Sequence, residues 1–216
     1  MNSKYLIGLA LAVLAVLAYA LWWNSPAREL RRTHDALLLQ KTWHLHAVRN
    51  YAGIPPQTDD TDFFCPSFAH WVNQYTDWRG APAVRETIRY NGGYYNLVNG
   101  RWTKTGERAE INECRHAPII EGDGIALPFE TFGRGTQVHR GAVQTVGGET
   151  CRDYKIIVPT PYDMLHKDYR FTMCINELDH LPRQTRRDPS ISGTEDSVEY
   201  SKWGDLSEPP LPYGIQ

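Results

Sequence analysis

The sequence predicts an α+β fold: one disulfide-stapled, mainly antiparallel β domain that begins with a helix and is delivered across a membrane by an apolar N-terminus. Three observations predict it. Residues 5–23 carry no charge, all four cysteines fall after that run, and Asn-Gly turns punctuate short strand-like segments.

The 19 residues of 5–23 would span roughly 28 Å as a helix at about 1.5 Å each, close to the ~30 Å of a bilayer core. Residues 1–24 therefore read as a signal-anchor or transmembrane segment, or as a signal peptide, and residues 25–216 as the extracytoplasmic domain. Ala18-Tyr19-Ala20 has the small-x-small pattern that favours cleavage after Ala20. The length of the run, and Trp22-Trp23 at its far boundary where indole rings prefer the headgroup layer, favour an uncleaved anchor. Lys4 before the run and Arg28, Arg31 and Arg32 after it would by charge alone keep the C-terminal side inside the cell. The cysteines argue for the opposite side. The expected location is the bacterial inner membrane, single-pass with the domain in the periplasm, or the periplasm itself if the N-terminus is removed.

After Asn24 the pattern turns helical. Ser25 can cap and Pro26 suits the first turn. Leu30, His34, Leu37 and Leu38 then share a face through about Lys41.

From Thr42 the punctuation is that of a β meander. Residues 83–105 contain Asn91-Gly92 and Asn99-Gly100, the strongest short hairpin signal, because both central residues of a type I′ turn need positive φ. Registering three strands on those turns puts Ile88 opposite Tyr95 and Leu97 opposite Trp102. One face then carries Val84, Ile88, Tyr95, Leu97 and Trp102, the candidate apolar ligand-binding face. The other carries Arg85, Arg89, Asn96, Arg101 and Thr103, as in a sheet with one buried side. Glu86 falls near Lys104 in this register. A second meander covers 136–146, the Gly147-Gly148 turn, 149–158 and 168–175, with further strands after Leu181-Pro182 and over 197–202. Eight or more strands must wrap or fold over to bury an apolar face.

Cys65, Cys114, Cys151 and Cys174 form no CxxC pair, which leaves zinc-ribbon and redox motifs without their spacing. An even number in an exported domain reads as two disulfides. If 150–158 and 169–175 pair as a hairpin centred near Tyr162, Cys151 falls opposite Cys174 and Tyr154 faces Phe171. Cys65 and Cys114 remain for the second bond.

Formal net charge is −2 and no long basic run exists, so nucleic-acid binding lacks its electrostatic footprint. There is no Gly-x-Ser-x-Gly elbow, P-loop or His-Glu-x-x-His. His44 and His46 share a strand face without an identifiable third ligand, so no metal, cofactor or catalytic residue is expected, and the chain does not read as an enzyme.

The order of features resembles the LolA/LolB/LppX-like periplasmic lipid- and lipoprotein-binding half-barrels. The residues that carry the resemblance are the helix ending in Leu37-Leu38-Leu39, Arg85-Glu-Thr-Ile-Arg-Tyr-Asn-Gly-Gly-Tyr-Tyr and Gly100-Arg-Trp-Thr-Lys. Later come Val146-Gly-Gly-Glu-Thr-Cys-Arg-Asp-Tyr, Phe171-Thr-Met-Cys-Ile, Leu181-Pro182-Arg183, Tyr200-Ser-Lys-Trp-Gly-Asp and Pro209-Pro210. The resemblance implies a strongly curved antiparallel sheet behind an N-terminal helix. It further implies a membrane-anchored module that binds lipid acyl chains or a lipidated protein in its concave face. The alternative is an envelope assembly or interaction protein without a ligand, a pilin-like subunit being disfavoured because 5–23 contains no Glu. Expected partners are the membrane through residues 5–23, a lipid or lipoprotein, and unidentified envelope proteins.

Overall fold

The computed structural model describes residues 3–23, 25–51, 53–66, 68–107, 119–120, 126–127, 135–159, 168–187, 195–207, 211 and 215. Two helices, α1 (Ser3–Trp23) and α2 (Pro26–Leu38), precede the strands. These are β1 (Thr42–Asn50), β2 (Gln57–Phe64), β3 (Phe68–Thr76), β4 (Pro82–Tyr90), β5 (Gly93–Val98), β6 (Arg101–Glu107), β7 (Ile119–Ile120), β8 (Ala126–Leu127), β9 (Gln137–Val146), β10 (Glu149–Val158), β11 (Tyr169–Ile175), β12 (Pro182–Arg187) and β13 (Glu195–Ser201).

Eleven strands make one antiparallel sheet in the order β6-β5-β4-β3-β2-β1-β13-β12-β11-β10-β9, and β7 pairs with β8 separately. The sheet is a half-barrel, not a closed one. Two meanders, β1 to β6 and β9 to β13, are stitched by β1 pairing with β13, with Leu45 opposite Tyr200 and Ala47 opposite Val198.

Local chemistry sets each element. Ser25 caps α2, its Oγ accepting from the Arg28 N–H at 3.4 Å, and Pro26 occupies the first turn, where its missing N–H costs nothing. Leu30 and Leu37 are buried along with Thr33 and Glu29, while Leu38 points to solvent. The helix ends at Leu38, and the 30–33–37 spacing leaves that last leucine beyond the buried stripe. Asn91 (φ 45°), Gly92 (81°), Asn99 (50°) and Gly100 (74°) all take the left-handed conformation that the two hairpins need. Ile88 accordingly pairs with Tyr95 and Leu97 with Trp102, as the turns predict.

Cys151 and Cys174 are disulfide-bonded, Cα–Cα 5.4 Å. The hairpin register differs from the expected one by two residues. Cys174 stands opposite Asp153, and Tyr154 faces Met173, not Phe171, which lies opposite Ile156. The bond crosses the ladder diagonally, beside a register shift between Arg152 and Tyr154 in the pairing with β9. A symmetric hairpin model has no means of locating such an irregularity. Cys65 is disulfide-bonded as well, and its expected partner Cys114 lies outside the described residues.

The sheet has two differently used faces. α2 lies against one, where Leu30 and Leu37 join Tyr154, Ile156, Val158, Phe171, Met173, Ile175 and Leu181. Trp43, Leu45, Ala47, Phe63, Ala69, Val198 and Tyr200 continue this helix face across the middle strands. On the opposite, outer face Phe64, Phe68 and Ile88 are buried with Ile215, and Leu206 and Leu211 pack beside them. Residues on both faces of β2 to β4 are therefore buried near the Asn91-Gly92 end, where the sequence pattern predicts a single buried side. Alternation along a strand shows which residues share a face, but not that the C-terminal residues fold back over one of them.

Candidate functional site

The helix face carries an aromatic run across six chain segments. Tyr200 stacks on Trp203 (ring centroids 5.8 Å), and Trp203 meets Trp43 at 5.8 Å. Trp43 stacks on Phe63 at 4.9 Å, Phe63 meets Trp71 edge-on at 5.9 Å, and Trp71 stacks on Tyr94 at 6.3 Å. β13, β1, β2, β3 and β5 supply these rings at inward-facing positions, and Trp203 comes from the turn after β13. The run starts buried at Tyr200 and ends at half-exposed Trp71 and Tyr94.

A polar row borders the aromatic floor along the same strands, toward the end of β1. Arg49 Nη2 lies 2.8 Å from Asp59 Oδ2, and Asn73 Nδ2 donates to Asp59 Oδ1. Across β1, Asp196 stands opposite Arg49, with Arg187 at 3.8 Å. The helix face is thus amphipathic along its strands, with rings at one end and charged or amide groups at the other. Arg89 lies at the ring end of this face, on β4 between Ala69 and Tyr94, and is only 3 % exposed. Its guanidinium sits against Tyr94, 5.2 Å from the ring centroid.

The five residues expected to line a ligand face do share one face, but it is the outer one. Ile88 is 2 % exposed and sealed in the cluster with Ile215, whereas Val84 is 68 % and Leu97 38 % exposed. Tyr95 and Trp102 pack half-buried at the margin of that cluster. Arg85, Arg89, Asn96, Arg101 and Thr103, the set expected to face water, lie on the helix face.

Other polar side chains pair off. Glu86 lies 2.8 Å from His70 rather than beside Lys104, because Lys104 stands opposite Tyr95 and bonds Glu107 at 2.5 Å. His44 is 2.7 Å from Asp62 and His46 2.8 Å from Asp60. Among the described residues no group of three or more His, Cys, Asp or Glu side chains is arranged to hold a metal ion.

Two clusters gave no sequence signal. Buried Glu29 of α2 lies 2.6 Å from His180 and 3.2 Å from Arg32, tying the helix to the turn after β11. Glu177 accepts from Arg140, from Arg152 Nε at 2.8 Å and from the Tyr154 hydroxyl at 3.0 Å. Partial burial pushes the Glu177 carboxyl up, but the hydrogen bonds from Arg152, Arg140 and Tyr154 outweigh it and hold it at about 2. Burial, then the negative charges of Glu29 and Glu177, push the Tyr154 hydroxyl well above its ordinary value. A cavity of about 400 Å³ flanks this cluster, lined by Val143, Cys151, Arg152, Glu177 and Leu178 among others. It lies on the β9–β11 side, away from the aromatic run.

Along α1 the apolar side chains from Leu9 to Leu21 are exposed. Among the described residues no single helix is long and apolar enough to cross a membrane. Leu9–Trp22 and Pro26–Leu38, bent by 54°, meet that length and composition only as a pair.

No protein-family model matches the sequence, and no curated protein matches it. Solved structures do. The lipoprotein LppX of Mycobacterium tuberculosis superimposes with a TM-score of 0.54 at 14 % identity, over 84 % of this chain and 96 % of LppX. LprF of Mycobacterium bovis superimposes with a TM-score of 0.60 at 16 % identity, over 88 % of this chain and 99 % of LprF. At such identities the likeness is one of architecture, and the chain has the half-barrel fold of LppX and LprF.

Proposed function

We propose that this chain is a membrane-tethered, extracytoplasmic module that binds an acyl chain, of a lipid or of a lipidated protein, on the helix face of its half-barrel. One observation carries the reading: the aromatic run of the helix face ends half-exposed at Trp71 and Tyr94, next to a polar row. An apolar floor bordered by polar groups suits a ligand with a hydrocarbon body and a polar end. The disulfide between β10 and β11 supports an oxidising compartment. The exposed apolar side chains of α1 support a tether in or on a membrane. His44, His46 and His70 are each taken up by one carboxylate, Asp62, Asp60 and Glu86, a pattern that supports a binder.

A second reading rests on the outer face. Val84 and Leu97, exposed beside Trp102, offer an apolar patch over β4 to β6 on which an acyl chain, or a partner protein of the envelope, would lie.

The test is native mass spectrometry with lipid extraction on the exported, disulfide-bonded protein. A co-purifying lipid, lost on Trp71→Arg without a change in the unfolding midpoint, is the expected result. A ligand-free mass, with no uptake of a fluorescent fatty acid, would turn the assignment to an assembly or interaction module.

A further inference from the structure

Arg89 is a charged side chain of the helix face that its own neighbours leave incomplete. A guanidinium stays ionised under all ordinary conditions, and at 3 % exposure it has lost its water. Its Nε and Nη2 are buried and have no hydrogen-bond partner. The acids of the same face are engaged elsewhere, Asp59 with Arg49 and Asn73, and Asp196 with Arg187. Thr87 and Asn96, its polar neighbours on the adjoining strand positions, bond each other at 2.8 Å. Tyr94 offers its ring face, which partly compensates the charge but takes none of the N–H groups.

The two unsatisfied atoms form the side edge of the guanidinium, whose parallel N–H bonds match the two oxygens of a carboxylate or phosphate. Elsewhere in this chain Arg183 presents the same edge to Glu149, with Nε at 2.7 Å and Nη2 at 2.6 Å from Oε2. At Arg89 that edge is vacant. The ring against it, Tyr94, is half-exposed and closes the aromatic run.

We propose that Arg89 binds the anionic head group of the ligand on the helix face, a carboxylate or phosphate monoester joined to an acyl chain. This rests on the acyl-binding reading above and adds to it a ligand charge and a head-group position. The acyl chain lies along Trp71 and Tyr94, and the anion replaces the missing partner of the guanidinium.

The experiment uses the full chain in nanodiscs of zwitterionic lipid and compares three twelve-carbon probes: dodecanoate, dodecyl phosphate and dodecanol. Acetate and inorganic phosphate are run alongside. Both anionic amphiphiles are expected to bind roughly 10- to 100-fold tighter than dodecanol, with neither small anion bound. Arg89→Met should bring the anions down to the affinity of the alcohol, leave dodecanol unchanged and leave the melting temperature equal or higher. Arg89→Lys, which keeps the charge without the fork, should retain only part of the preference. Equal binding of dodecanoate and dodecanol by the wild type, a comparison that needs no variant to fold, would overturn the role of Arg89 while leaving acyl binding intact. Acetate or phosphate bound as tightly as the amphiphiles would overturn the lipid head-group assignment. Failure of all three twelve-carbon probes would overturn this proposal and the acyl-binding reading together.

Discussion

At the scale of single residues, the sequence shows identities but not which charges meet. Glu86, His70 and Lys104 illustrate the difficulty, since the turn register sets Lys104 opposite Tyr95 but does not show that Lys104 bonds Glu107 and Glu86 bonds His70 on the other neighbouring strand. Arg89 sits in a strand pattern that makes it a solvent-facing arginine, and only the assembled sheet shows it desolvated. Glu177 is likewise an ordinary turn residue until three donors converge on it. Its folded-state carboxyl is depressed from 4.5 to about 2, so its stabilising effect is complete above about pH 4.5 and is lost as pH falls through 2. The side chain is 36 % exposed, and solvent screening reduces the effect to about 1 kcal/mol. Glu177→Gln should therefore lower stability by about that amount at pH 7 and by much less at pH 2. Urea midpoints measured across that range check it, and a pH-independent difference between the two proteins would count against the cluster.

At the scale of elements, far more was legible, because turn chemistry and periodicity act locally. Asn91-Gly92 and Asn99-Gly100 fixed three strands and their facing pairs, and Ser25-Pro26 fixed the start of α2. The Cys151–Cys174 pairing follows from the approximate antiparallel opposition of β10 and β11, although the register is displaced by two residues. The bond closes a loop with a sequence separation of 23 residues, for which chain entropy gives about 3 kcal/mol. The double substitution Cys151→Ala and Cys174→Ala should lower unfolding free energy by about that much in urea titrations. The cover of the outer face was not legible, since nothing in the spacing of Leu206, Leu211 and Ile215 names the strand they return to. Ile215 is 1 % exposed against Phe64, Phe68 and Ile88, so Ile215→Ala should cost about 2–4 kcal/mol. A thermal midpoint unchanged in that variant would show that the C-terminus contributes no core.

At the scale of the whole molecule, the order of elements predicted an antiparallel sheet behind a helix, the resemblance to the half-barrel family implied that it is open and curved, and that architecture is present. Which face serves as the floor of a binding site was beyond the sequence, because both faces of β2 to β5 present apolar residues and the difference lies in what packs over them. α2 packs on the helix face and the C-terminal residues on the outer face, and on β2 to β6 the described residues leave open the Trp71–Tyr94 end of the aromatic run and the Val84–Leu97–Trp102 patch. Arg89 and the polar row favour the first.

Quenching of tryptophan fluorescence by a fatty acid brominated along its chain tests this most directly, read in the wild type and in Trp71→Phe and Trp102→Phe. Acyl binding on the helix face predicts strong quenching in the wild type, little altered by Trp102→Phe and largely lost in Trp71→Phe. Quenching that survives Trp71→Phe and disappears with Trp102→Phe would place the acyl chain on the outer face and contradict the account.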